Sequence, residues 1–158
     1  MDIMRKLVVA AGILLISLAS LSSCASNEAT VVEGREKQIK ALFVWDADGA
    51  TDFTLLNNLK GETMMYLRRK GFAISADPDK TDAYVKITVF DATRDPDKKR
   101  SYIKARLYII DAADNSVMYD RTYDASAYGG GFDGPEYPVV DFVEGVLGDF
   151  ARLSGRDE

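Results

Sequence analysis

Residues 81–127 read TDAYVKITVFDATRDPDKKRSYIKARLYIIDAADNSVMYDRTYDASA. Apolar and polar residues alternate through this stretch, and β-branched and aromatic types are frequent. That period of two predicts three strands, Ala83–Asp91, Tyr102–Asp111 and Val117–Ala125. Asp114-Asn115 fits a two-residue turn between the last two strands, because both residue types tolerate positive φ. The segment DPDKKRSYIK (Asp95–Lys104) nearly repeats DPDKTDAYVK (Asp77–Lys86), offset by 18. An even offset keeps both strands in the same phase. Val85, Ile87 and Val89, with Ile103, Leu107 and Ile109, then point to one face. Tyr84, Lys86 and Phe90, with Tyr102, Lys104, Arg106 and Tyr108, share the other. Consecutive strands with a short link run antiparallel, so the two Asp-Pro-Asp-Lys units fall at opposite ends of the sheet, about 30 Å apart. They cannot form one site. Each reads as a turn, with Pro presetting φ and Asp bonding its own backbone.

Outward from this core, Ile39–Asp46 and Phe72–Ser75 read as two further strands. A helix is predicted over Phe53–Lys70, since Leu55, Leu56, Leu59, Thr63, Tyr66 and Leu67 recur at three- and four-residue spacing. Asp52 or Thr51 caps its start, and Gly71 suits the left-handed position past its end. A second helix is predicted over Val139–Leu153, where Val139, Phe142, Val143, Val146, Leu147, Phe150 and Leu153 form one apolar face. Ser126–Pro138 reads as a glycine-rich loop. The order β-α-β-β-β-β-α predicts an α+β two-layer sandwich, a mostly antiparallel sheet with two helices on one face. Residues 39–158 form this single domain.

The front of the chain has a different character. Arg5 and Lys6 precede an apolar run, Leu7–Ala19, which is too short for a comfortable membrane span. Leu21-Ser22-Ser23-Cys24 follows. This tetrapeptide resembles the bacterial lipobox, an aliphatic residue, two small residues and Cys. The resemblance implies a signal peptide over 1–23 and a lipid-modified Cys24 as the first mature residue. Several acyl chains make such an anchor permanent. Ala25, in place of an acidic residue, resembles the outer-membrane pattern. Residues 24–38 are polar and lack periodicity, so they read as a flexible tether with a mean span on the order of 20 Å.

Composition narrows the function. Cys24 is the only cysteine, so an intrachain disulfide is excluded. Removing Arg5, Lys6 and Asp2 with the leader leaves 18 basic and 24 acidic residues, a net charge of −6. That argues against a nucleic-acid partner. The chain holds no histidine, which removes the commonest general base and zinc ligand. No G-x-S-x-G, P-loop or G-x-G-x-x-G is present. Asp46, Asp48 and Asp52 in DADGATD have the oxygen chemistry calcium wants, but Gly49 falls too early for an EF-hand and Asn57 stands where the bidentate Glu belongs. A solvated turn and a helix cap account for them. No metal and no cofactor is expected.

KTDAYVKITVFDA (80–92), followed by KARLYIIDAADNSVMYDRTYDASA (104–127), shows an Asp-aromatic strand, an Arg-led strand ending in Asp, a turn and an aromatic strand. This pattern resembles a family of small bacterial envelope lipoproteins. It also resembles the N-terminal domain type of the Tol translocation protein and the related domain of curli-secretion and peptidoglycan-synthase-activating lipoproteins. The resemblance implies an envelope accessory role without catalysis. The expectation is therefore a non-enzymatic lipoprotein on the periplasmic face of the outer membrane, binding an envelope protein. Its partner surface is the face carrying Tyr84, Lys86, Tyr102, Lys104, Arg106 and Tyr108, since Tyr and Arg are favoured contact residues. The alternative is a small-ligand or lipid-binding lipoprotein. A carboxylate-based hydrolase ranks third.

Overall fold

A computed structural model describes residues 30–31, 34, 38–129 and 136–156. Cys24 and the leader lie outside the described residues. The strands are β1 (Thr30–Val31), β2 (Ala41–Val44), β3 (Ala73–Ile74), β4 (Ala83–Asp95), β5 (Arg100–Asp111) and β6 (Val117–Tyr128); the helices are α1 (Phe53–Arg69) and α2 (Val139–Leu153). They form the α+β sandwich in the order the sequence predicts, with β1 added ahead of it. The sheet is six-stranded in the order β1-β6-β5-β4-β2-β3. β2 pairs parallel with β3 and β4, and the other pairings are antiparallel.

Thr30 and Val31 fall within the stretch read as a tether, yet they pair with Asp120 and Tyr119 on the outer edge of β6. An edge strand offers unpaired N–H and C=O groups, which can order even a polar, non-periodic segment.

The inward phase is as expected. Val85, Ile87, Val89, Ile103, Leu107 and Ile109 are buried, together with Leu42, Val44, Leu55, Leu59, Leu67, Phe142, Val146 and Phe150. Phe150 stacks on Phe72 at 5.4 Å between ring centroids and meets Tyr119 at the same distance. α1 starts at the predicted residue because Asp52 caps it, its Oδ1 accepting from the N–H of Thr54 at 2.9 Å and of Leu55 at 3.1 Å. α2 lies close on β6. A Cβ at Gly145 would stand 2.3 Å from the Tyr123 ring, so the missing side chain makes room for that ring.

Both Asp-Pro-Asp-Lys units are turns. At Pro78–Lys80 the chain forms one turn of 3₁₀ helix, with Asp77 Oδ1 accepting from Asp79 N–H at 3.0 Å. The second unit closes the β4–β5 hairpin, with Asp95 Oδ1 accepting from Lys98 N–H at 3.0 Å. In each, the Lys returns to the leading Asp, at 3.0 Å and 3.1 Å. β4 runs on to Asp95 and β5 begins at Arg100, so the hairpin arms exceed the predicted strands. The turns therefore lie about 40 Å apart along β4 rather than about 30 Å.

Two local expectations are corrected. Phe90 is the extra residue of a β-bulge between Val89 and Asp91, not a regular member of the outer face. The β5–β6 connection spans residues 112–116 and is closed by Asp111 N–H donating to Ser116 O at 2.9 Å; only Asn115, at φ 58°, is left-handed in it.

Candidate functional site

The helices cover one face of the sheet, and no described element covers the other. The register brings the six residues of the predicted partner surface onto this outer face, while Cys24 lies outside the described residues. Tyr84 stands opposite Ile110, Lys86 opposite Tyr108 and Thr88 opposite Arg106. Lys104 lies between Asp91 on β4 and Asp124 on β6, and Tyr102 between Thr93 and Ser126. Tyr84, Tyr102, Lys104, Arg106 and Tyr108 are half-buried, because each packs between neighbours on a pleated surface.

The face divides into two zones. Near the start of β4 it is aromatic. Phe43 and Trp45 leave β2 on this side, with ring centroids 5.1 Å apart, and Trp45 lies 6.1 Å from Tyr84. Ile110 and Val117, paired across β5 and β6, continue the patch. Trp45 is 46% exposed, so part of its ring is open to a partner. Sequence reasoning left out Phe43 and Trp45. The signal was present in ALFVW, where alternation sends Leu42 and Val44 inward and therefore Phe43 and Trp45 outward.

Toward the middle of the strands the face is ionic and largely self-neutralised. The Arg106 guanidinium meets Asp120 side-on, Nε donating to Oδ1 at 2.7 Å and Nη2 to Oδ2. The same guanidinium carbon lies 4.7 Å from the Tyr108 ring centroid. The Asp120 hydrogen bond pushes the Arg106 pKa further up, so this group is a permanent cation. Lys86 Nζ lies 3.4 Å from Asp48. Partial burial, then the charges of Asp124 and Asp91, push the Tyr102 phenol up, so it remains a neutral hydroxyl. Of Lys86, Lys104 and Arg106, two are thus committed to carboxylates, which leaves the aromatic zone as the distinctive part of this face.

Catalytic and metal geometry are not assembled in the DADGATD loop. Asp46 bonds Lys60 at 2.6 Å, Asp48 faces Lys86, and Asp52 caps α1. No cluster of three His, Cys, Asp or Glu suited to a metal exists among the described residues. A cavity of about 570 Å³ opens at the end of the sheet where β4 starts, lined among others by Asp79, Asp82, Tyr84, Asp111 and Met118. Two of its three acids serve the fold: Asp82 Oδ2 accepts from the N–H groups of Lys40 and Ala41, both at 2.8 Å, and Asp111 Oδ1 from Ala113 N–H at 2.8 Å. The cavity is open to solvent at the end of the sheet, with the core residues Ile39 and Met118 in its wall.

This two-layer sheet-and-helix architecture is shared by solved bacterial proteins. The PelC dodecamer from Paraburkholderia phytofirmans superposes with a TM-score of 0.60 at 12% identity, covering 78% of this chain and 95% of that one. Lipoprotein GNA1162 from Neisseria meningitidis gives 0.52 at 12% identity, covering 72% and 99%. Protein XCC0632 from Xanthomonas campestris gives 0.51 at 12% identity, covering 74% and 82%. No family model matches the sequence, and no curated protein is similar to it in sequence. The likeness is one of fold, and it is a fold that a bacterial lipoprotein uses. No helix among the described residues is long and apolar enough to cross a membrane.

Proposed function

We propose that this chain is an envelope lipoprotein, lipidated at Cys24 and held at the periplasmic face of the outer membrane, whose domain binds a protein partner without catalysis. The observation that carries the reading is the uncovered outer face of the sheet. It presents Trp45, Tyr84, Tyr102 and Tyr108 beside cations that are mostly neutralised within the face itself. Aromatic anchors with little net charge to desolvate suit a protein contact. The fold shared with a lipoprotein and with a dodecameric protein supports the anchor and an interaction role.

Two measurements test this. The wild type is expected to take up labelled palmitate, and Cys24→Ala to release a soluble, unlabelled product; a wild type without label would end the anchor reading. Crosslinking in the native envelope should capture a partner. Replacing Tyr84, Tyr102 and Tyr108 together with Ser should abolish that capture while the thermal melt shows a folded domain. Capture that persists in the triple variant would overturn the partner face. The alternative, a lipid- or small-ligand-binding lipoprotein, draws only on the open cavity at the sheet end, whose acidic lining suits an acyl chain poorly.

A further inference from the structure

Topology gives the domain two unlike ends. β2, β4 and β6 run the same way, because β2 is parallel to β4 and β5 is antiparallel to both β4 and β6. The tip of the β4–β5 hairpin and the end of β6 therefore share one end. Residues 94–100, RDPDKKR, place four cations there against two carboxylates, in a chain of net charge −5. Residues 96–100 are exposed, and Asp95 is engaged with Lys98. Tyr128, 73% exposed, stands beside this tip with the Arg100 guanidinium carbon 5.4 Å from its ring centroid. The opposite end holds the cavity lined by Asp79, Asp82 and Asp111.

The direction of β1 bears on the same end. Thr30 pairs with Asp120 and Val31 with Tyr119. Toward its N-terminus, β1 thus heads along β6 in the direction of Tyr128. Only residues 25–29 separate Thr30 from Cys24. Six residue steps span at most about 20 Å, and the eight from Asp120 to Tyr128 cover about 27 Å. A lipid on Cys24 would tie the domain within about 20 Å of the bilayer, and the described β1 runs away from the basic end as it enters the sheet.

We infer that the tip of the β4–β5 hairpin is a membrane-contact surface, on which Lys98, Lys99 and Arg100 meet anionic lipid headgroups while Tyr128 enters the interface. The inference rests on the anchor reading for the orientation of the whole molecule. Clustered cations gain about fivefold in partitioning each at an anionic surface, and Tyr favours the headgroup layer. The domain then stands on its hairpin, and the aromatic zone of the sheet faces sideways, open to partners.

Cys24 is the only cysteine, so a cysteine introduced into the lipidated protein carries a label alone. Asp97→Cys and Asp79→Cys proteins, each bearing a fluorophore, would be reconstituted into phosphatidylcholine vesicles containing about a third phosphatidylglycerol and a headgroup quencher. The label at 97 should be quenched and the label at 79 should not. Quenching at 97 should fall in high salt and when Lys98, Lys99 and Arg100 are all replaced by Gln, with the melt unchanged. Equal quenching at both positions, or indifference to the triple replacement, would overturn the inference. Should the wild type take up no palmitate, the anchor reading fails by itself. Co-sedimentation of the unlipidated chain with the same vesicles then decides this surface: the triple variant must lose about a hundredfold in partitioning, and equal partitioning of wild type and variant would overturn it.

Discussion

Arg106 on β5 grips Asp120 on β6 side-on, Nε to Oδ1 at 2.7 Å with a second bond from Nη2, while the Tyr108 ring lies 4.7 Å from the guanidinium carbon. The pair bridges neighbouring strands on the outer face, and both side chains keep some contact with water. Bidentate geometry favours it, and solvent screening discounts it. A double-mutant cycle with Arg106→Gln and Asp120→Asn, followed by urea unfolding, should give a coupling of about 1 kcal/mol. A coupling indistinguishable from zero would show that the pair contributes nothing beyond solvation.

Two glycines should respond to alanine with opposite signs. Gly49 has φ +90° in the loop after β2, and a Cβ there would stand 2.1 Å from Val89 O. The loop is stitched to β4 at the residue before it, Asp48 N–H donating to Ile87 O at 3.1 Å and Val89 N–H to Asp48 O at 2.8 Å. Gly49→Ala should cost about 3 kcal/mol through strain and collision with backbone. Gly61, inside α1, has open space where a Cβ would go. Gly61→Ala should stabilise by about 0.5–1 kcal/mol. Chemical denaturation of the two variants beside the wild type checks both signs.

Tyr119 sets an alkaline limit. It is fully buried, and its hydroxyl donates to Val146 O at 2.5 Å. Burial pushes its phenol above the ordinary value of 10.0, with Arg121 acting in the other direction. A raised folded-state pKa means that the folded chain holds this proton more tightly than the unfolded chain. Its contribution is complete below about pH 10 and is lost as pH rises from there through the folded-state pKa. Tyr102 and Tyr137 are shifted the same way and share that window. Tyr119→Phe should cost about 1 kcal/mol at neutral pH through the lost hydrogen bond. It should also soften, without abolishing, the fall in urea midpoint at alkaline pH. An alkaline fall as steep as that of the wild type would remove Tyr119 from this role.

The elements that rest on local signals were legible. α2 matches Val139–Leu153 at both ends because its apolar face repeats without interruption. α1 starts at Phe53 because Asp52 is a strong cap. The outer-face set on β4 and β5 followed from phase alone, since each alternation has one apolar member to bury. Less legible was the length of the hairpin arms: TRDPDKKRS has no apolar alternation, and its strand character comes from cross-strand pairing. The Phe90 bulge was equally hidden, as VKITVFDA reads as a regular strand until the partner register is known.

By itself, then, the sequence determined the two helices and the cores of the main strands, which side of those strands is buried, and that two similar turns could not share one site. Those properties follow from residue chemistry repeated at short range. Only the tertiary structure decided the order β1-β6-β5-β4-β2-β3, the parallel pairing of β2 with β4 that sets Trp45 beside Tyr84, and the pairing of Arg106 with Asp120. It also decided that Thr30 and Val31 join the edge of β6. The physical reason is that strand partners are chosen by hydrogen bonds between residues far apart in the chain. Alternation says which way a side chain points, but not which side chain lies next to it.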